Sequence, residues 1–398
     1  MLTKKFLTVL MSATALLCGA VQSNAQQTED TLRINTRVVF VDTLVKDKKT
    51  NQPIKNLARE NFQVLDDGKP RTLSYFATDA NRRKRPLALV VVLDMYSDSS
   101  LRYLQKPEVI ESIIASLGKL QPDDEVAVMQ RWFEPQPGFF VFQSNSKIIE
   151  PLTRDRAKTY AALRGAQKFA VQNWLQVKKL FSIKEMYKEQ LKHPMETIVI
   201  ANNPGSAPTF TLAPDFEELL TTAPRLATHE RPGSQVAIAQ ISDDLDGNLL
   251  KKSKESAQSL IGAGVIFSSV NVERTLLGKA ENLFGNVVSP LLRARFHLAS
   301  YFSKQTGGVS ANVGNAEDFA KAFDEIIGGL NASYSLGFTL NENELIDKRL
   351  HRLQVRVKAR DERGKERKLV VSARQGYCLC EAAAKIASPQ ANLVRPRT

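Results

Sequence analysis

The stretch RPLALVVVLDMYSDSS at Arg85–Ser100 constrains the fold more than any other part of the chain. Its Leu87–Leu93 run is apolar throughout and rich in valine, with no polar alternation. Branching at Cβ stiffens the side chain and suits an extended backbone. An unbroken run of this length fits a strand buried on both faces, as in a parallel sheet covered by helices. The run stops at Asp94, followed by Met95, Tyr96, Ser97, Asp98, Ser99 and Ser100. Open α/β sheets bind ligands outside the carboxyl ends of their strands. A carboxylate and hydroxyls at such an end are therefore binding candidates. The same residue types cap helix N-termini, and both roles can hold at once.

From there to about residue 330, strand and helix patterns alternate. Pro107–Leu120 reads as a helix with Val109, Ile110, Ile113, Ile114 and Leu117 on one face. Val126–Met129 starts a second buried strand, Phe139–Phe142 a short third, and Ser146, Lys147 and Pro151 mark a turn region. Residues 154–192 read as one long helix or two joined ones, with Tyr160, Leu163, Ala166, Ala170, Trp174, Val177 and Phe181 recurring at helical spacing. Thr197–Ala201 is a brief strand candidate. Val236–Ile241 is a strong strand that also ends in carboxylates, at Ser242-Asp243-Asp244. Leu249–Ile261, Pro290–Lys304 and Ala316–Leu330 read as helices, with a strand at Val265–Val272. This alternation predicts an α/β fold with a doubly wound, mostly parallel sheet.

Both flanks follow period two instead. In Arg33–Val41, Ile34, Thr36, Val38 and Phe40 share one face. Phe62–Leu65 and Leu73–Phe76 bracket Asp66-Asp67-Gly68, and an Asp-Gly pair between strands signals a hairpin. Turn chemistry, not catalysis, is the reading for those two aspartates. Past residue 330, Tyr334, Leu336 and Phe338 alternate, then Leu353, Val355 and Val357, then Leu369, Val371 and Ala373. Short β segments of this kind are not stable alone. They are expected to pair with each other, or against the central domain, as an accessory β unit. The predicted organisation is a signal peptide at 1–25, an N-terminal β segment at 31–80, an α/β domain at 86–330, a C-terminal β segment at 331–378 and a tail at 379–398.

The first residues carry Lys4 and Lys5, an apolar Phe6–Cys18 run and a small-residue site at Ser23-Asn24-Ala25. They read as a secretory signal cleaved near Ala25, so the protein is expected in the periplasm, at the cell surface or outside the cell. No later stretch is long and apolar enough for a transmembrane helix. The formal charge of +13 falls to +11 without Lys4 and Lys5. Residues 154–192 hold ten Lys or Arg against three acids, a net of +7. That stretch is either a solvated basic face or a docking surface for an acidic protein partner. The charge alone would allow nucleic acid as a partner, but the export signal and the lack of a nucleic-acid motif count against it, and none is expected. Cys378 and Cys380 are two residues apart, where a bridge would be strained in an extended segment, so free thiols are expected.

Enzymatic readings find little support. His193, His229, His297 and His351 are dispersed, and no phosphate-binding loop, Gly-x-Ser-x-Gly or His-Glu-x-x-His is present. A nucleophile at Ser97 or Ser99 would lack a base. The chain reads as non-enzymatic.

Several pieces together resemble the bacterial VWFA-related domain family, relatives of the von Willebrand factor type A fold. They are DKKTNQPIKNLARENFQVLDDGK at 47–69, PLALVVVLDMYSDSS at 86–100, PGSQVAIAQISDDLDG at 232–247, TGG at 306–308, YSLGF at 334–338 and ARQGY at 373–377. The resemblance runs from about residue 31 to 378. It implies a Rossmann-like type A domain that binds a protein partner. It also implies Mg²⁺ or another divalent cation held by an Asp-x-Ser-x-Ser loop, a Thr and a second Asp, with an open position for a partner's acidic residue. Asp94 and Asp243 match that pattern directly. Tyr96 stands where the first Ser belongs, so Ser97 and Ser99 match only with one extra loop residue. Thr153 and Thr159 lie in the region of the Thr without a supporting motif. The candidate metal residues are thus Asp94, Ser97, Ser99 and Asp243. The expected function is adhesion or complex assembly through the domain's carboxyl edge. The alternative is a metal-free scaffold binding an acidic partner through the 154–192 helix.

Overall fold

The computed structural model describes residues 37–78, 85–95, 98–135, 142–180, 222–223, 225–226, 230–242, 250–272, 298–341, 344, 349–360 and 363–378. The first strands are β1 (Arg37–Asp47), β2 (Phe62–Asp66), β3 (Lys69–Arg71) and β4 (Tyr75–Ala77). The α/β region follows with β5 (Leu87–Met95), α1 (Asp98–Leu104), α2 (Pro107–Leu117), β6 (Glu125–Pro135), β7 (Phe142–Thr153) and α3 (Arg156–Leu180). It continues with β8 (Gln235–Ser242), α4 (Leu250–Ala263), β9 (Ile266–Val272), α5 (Leu298–Thr306), β10 (Ser310–Val313) and α6 (Ala316–Ala332). The chain closes with β11 (Tyr334–Leu340), β12 (Leu350–Val357), β13 (Leu369–Ala373) and β14 (Gly376–Cys378).

The central sheet has the order β10-β9-β8-β5-β6-β7. Numbered by appearance within the sheet, this is the 3-2-1-4-5-6 order of a doubly wound fold. All its pairings are parallel except β6 with β7. Every residue of β5 is buried, as its unbroken apolar run requires. Leu87, Leu89, Val91, Leu93 and Met95 face a core with α2, α3 and α6, through Ile110, Ile113, Leu163, Ala166, Phe319 and Phe323 among others. Ala88, Val90 and Val92 face the opposite core, with Leu260 of α4 and Phe302 of α5. A fully buried residue of this kind contributes roughly 1.5–3 kcal/mol.

The flanks interleave. One antiparallel sheet has the order β13-β1-β11-β4 and another β14-β12-β2-β3, so each mixes strands from both ends of the chain. Their shared core includes Val39, Val41, Val45, Phe62, Val64, Tyr334, Leu336, Phe338, Leu353 and Tyr377. The flanks therefore pair as expected, with several local corrections. The hairpin turn sits at Asp67-Gly68, both at positive φ, but its second arm is β3, not Leu73–Phe76. The chain crosses over, and β4 pairs with β11 in the other sheet. In β1 the inward residues are Val39 and Val41, while Val38 and Phe40 are half-buried. Arg85 stacks on the outer ring, 4.3 Å from the Phe40 centroid. Ser146, Lys147 and Pro151 lie within β7, not in a turn. There the edge of the sheet tolerates polar residues and proline. The α1 helix and β10 were not anticipated.

The TGG and ARQGY pieces form the seam between sheets. Thr306 Oγ1 accepts from the Phe267 backbone N–H at 2.9 Å and donates to the Phe302 carbonyl at 2.8 Å. Gly308 lies so close to the Phe267 carbonyl that a Cβ would meet its oxygen at 1.9 Å. Gly307, at φ +80, abuts the Ala373 backbone on β13. Buried Arg374 donates to the Ile261 carbonyl at 3.0 Å, and Gln375 N–H to the Gln305 carbonyl at 3.0 Å. Cys378 is disulfide-bonded, which corrects the free-thiol expectation for it. Cys380, the signal stretch, the Thr197–Ala201 strand candidate and residues 181–192 of the basic stretch lie outside the described residues.

Candidate functional site

Parallel pairing of β5 with β6 sets Asp94 directly beside Arg131. On its other side β5 pairs with β8, which brings Gln240 and Ser242 to the same end. The sheet order reverses between β5 and β8, the place where open α/β sheets bind ligands. Arg131 Nη1 donates to Asp94 Oδ2 at 3.2 Å, with the two side chains 3% and 6% exposed. Gln240 Nε2 donates to the same oxygen at 3.1 Å. Burial pushes the Asp94 carboxyl up, and the Arg131 charge with the Gln240 and Ser242 hydrogen bonds offsets only part of that. Oδ1 is buried and receives no hydrogen bond.

Of the other predicted metal residues, Ser99 is buried in the first turn of α1. Ser97 and Asp243 lie outside the described residues. Thr153 and Thr159 serve the start of α3. Thr153 Oγ1 accepts from the Asp155 N–H at 3.0 Å, and Thr159 Oγ1 donates to the Asp155 carbonyl at 3.3 Å. The donor set on Asp94 suits a buried ion pair. A dication on this carboxylate would sit beside a guanidinium of like charge. Among the described residues, the Arg131 charge therefore disfavours a divalent cation on Asp94. Sequence reasoning missed Arg131, although a charged residue two positions past the apolar VAVM run was the available signal, because arginine is rarely buried unpaired.

A second cluster lies on the accessory sheets. One ligand atom each from Asp66, Asp67 and His351 lies within 4.8 Å of the others. His351 Nδ1 is 3.1 Å from Asp67 Oδ2 and 3.6 Å from Asp66 Oδ1. Asp66 Oδ2 also accepts from Arg71 Nη2 at 2.7 Å and Tyr377 Oη at 2.9 Å. Arg349 pairs with Asp67 at 2.8 Å. The His351 ring stacks on Tyr377 with centroids 4.7 Å apart. Burial and the Asp66 carboxylate together push the Tyr377 hydroxyl well above the usual tyrosine range. With guanidinium groups on both carboxylates, the cluster acts as a clamp joining β2, β12 and β14. The sequence reading of Asp66-Asp67 as turn chemistry holds for Asp67; that Asp66 is buried and tied to His351 was not legible.

No family model and no curated protein matches the sequence. Among solved structures the chain is similar to the human COPII-coat protein Sec24c, with TM-score 0.34 and 10% identity, over 77% of this chain and 47% of that one. The chain thus spans about half of that protein. It is also similar to a von Willebrand factor type A protein from Catenulispora acidiphila, with TM-score 0.35 and 10% identity, over 81% of this chain and 74% of that one. A third is the SpRpn10 VWA domain, with TM-score 0.28 and 10% identity, over 61% of this chain and 94% of that one. These likenesses are remote. The order and strand directions of the chain's own central sheet define the class: a doubly wound, mostly parallel α/β fold with two added antiparallel sheets.

Proposed function

We propose that the chain is an exported, non-enzymatic protein-binding module. Its recognition face is the carboxyl edge of the central sheet around Asp94, and it works without a divalent cation. The observation that carries this reading is the Arg131 guanidinium on buried Asp94. In the type A pattern a cation bridges that aspartate to a partner's acid. Here a fixed positive charge already answers it. Arg131 is 3% exposed, so it neutralises Asp94 and does not reach out to a partner. Partner contacts would then come from the loops that follow β5 and β8. His351, the one histidine among the described residues, is held in the β2–β12–β14 clamp by Asp67 and Tyr377.

The test is calorimetric titration of the full-length protein with Mg²⁺ and Mn²⁺. The expected outcome is no binding heat at millimolar cation and a melting temperature indifferent to chelator. Saturable binding abolished by Asp94→Asn would overturn the cation-free reading and restore the four-residue metal site.

A further inference from the structure

A basic surface also lies apart from the 154–192 stretch. In the described part of α3, Arg164 forms a two-bond pair with Glu111 at 2.8 and 3.0 Å. Arg156 donates to the Asp124 carbonyl at 2.8 Å and the Gln121 carbonyl at 3.2 Å. These cations are spent on the fold. Elsewhere Lys46, Arg71, Arg85, Lys119, Arg131 and Arg231 are each paired with an acid.

Exposed cations gather at one cleft. A cleft of about 890 Å³ opens between the 47–56 loop after β1 and residues 365–368 before β13. Six cations line it (Lys48, Lys49, Lys55, Lys365, Arg367 and Lys368) against two acids, Asp47 and Glu366, a net of +4. Lys48, Lys49, Arg367 and Lys368 form no salt bridge among the described residues. Asp47 answers them only in part: its Oδ1 accepts from the backbone N–H groups of Lys49 at 2.8 Å and Thr50 at 3.1 Å, and these bonds, with the Arg367 and Lys49 charges, hold its carboxyl below the usual range.

The walls are built by backbone bonds, not by loose chain. Lys48 N–H donates to the Lys368 carbonyl at 2.9 Å, tying the two loops together. Ile54 N–H donates to the Val45 carbonyl at 2.8 Å, and Arg367 N–H to the Ala359 carbonyl at 2.9 Å. Like charges are thus held close on a fixed frame, at an electrostatic cost that an anionic ligand would relieve. Because the frame is already ordered, binding would spend little entropy on it.

We propose that this cleft binds an acidic polypeptide segment, independently of the carboxyl edge of the central sheet. Five of the six cations are lysines, which act as mobile point charges. Arginine's rigid fork matches a single carboxylate or phosphate with two parallel hydrogen bonds. Lysines instead suit carboxylates spread along a chain. Pro53 and Ile54 at the lining give the methylenes of Glu or Asp side chains an apolar seat.

The test uses the full-length protein and a labelled short oligoglutamate peptide, read by fluorescence anisotropy at low and physiological salt. The Lys48→Glu/Lys49→Glu/Lys368→Glu variant should weaken binding by at least about tenfold, and added salt should weaken the wild type likewise. Its melting temperature should hold, because exposed charges contribute little to stability. A control variant on α3, Lys158→Glu/Lys168→Glu, should leave the affinity within about twofold. Equal loss in both variants would reduce the effect to overall charge and overturn the site. Tighter binding of a sulfated oligosaccharide or of phosphatidylglycerol vesicles than of the peptide would overturn the ligand class.

Discussion

Two buried aspartates show how differently one residue type behaves in this chain. Asp42 lies beside Arg85, with side chains 6% and 13% exposed, and accepts from the Ser335 hydroxyl at 2.6 Å. Burial pushes its carboxyl up, but the Arg85 charge and the Ser335 and Arg85 hydrogen bonds outweigh that and hold it below the usual range. A depressed folded value adds stability above the unfolded aspartate value of about 3.9, and the gain is lost as pH falls through the folded value. The stability difference between wild type and Asp42→Asn, from urea melts across acid pH, is therefore expected to shrink towards zero in strong acid. A constant difference would contradict the assignment. Asp94 works in the opposite sense: its carboxyl is pushed up, so stability falls as pH rises from the unfolded aspartate value towards the folded one. The sequence made Asp94 legible because a buried strand ended on it. It hid Arg131 because the partner of a parallel strand is fixed by register, which no local pattern states.

At the scale of elements, what the sequence showed well was burial on both faces. β5 was legible because its run is unbroken, and β8 and β9 because apolar residues dominate them; all of their residues are buried. On α2 the apolar stripe matches the buried face residue for residue. The misread elements are edge or short ones: β7 is polar because it has a partner on one side only, and β10 has four residues. The TGG turn joins elements that sequence patterning treats separately. Gly308 has no room for a methyl group, since a Cβ would overlap the Phe267 carbonyl. Gly308→Ala is expected to cost at least about 2 kcal/mol by denaturant melting, through displacement of α5 from β9. Gly328 has open space at its Cβ position on α6, so Gly328→Ala should be neutral or stabilising. A Gly308→Ala protein as stable as the wild type would show that the seam is not close-packed.

For the whole molecule, the interleaved flanks decide how it unfolds. β1 is bonded to β11 and β13, nearly three hundred residues or more away in sequence. Lys46 on β1 pairs with Glu325 on α6, and Arg85 at the entry to β5 pairs with Asp42 on β1. Residues 37–398 accordingly group as one unit. Trp132 and Trp174 pack on the α/β core, while Tyr334 and Tyr377 lie in the accessory core. Tryptophan fluorescence and tyrosine absorbance should therefore report coincident urea transitions. Separate midpoints would mean that the accessory sheets unfold on their own. The flanking β segments were legible as β, but not their interleaving, because β1, β2 and β4 find partners near the far end of the chain.

The cation-free reading rests on Arg131 standing as the counter-charge of Asp94, and a double-mutant cycle measures that directly. Asp94→Asn, Arg131→Met and the double variant are compared by urea melting, each with chelator and with millimolar Mg²⁺. Each single change should cost about 3 kcal/mol, because it leaves a buried charge without this partner. The double change should cost less than the sum of the two, by about 2 kcal/mol, and that coupling should be the same with and without Mg²⁺. Additive single effects, or a wild-type protein that Mg²⁺ stabilises only while Asp94 is present, would contradict it.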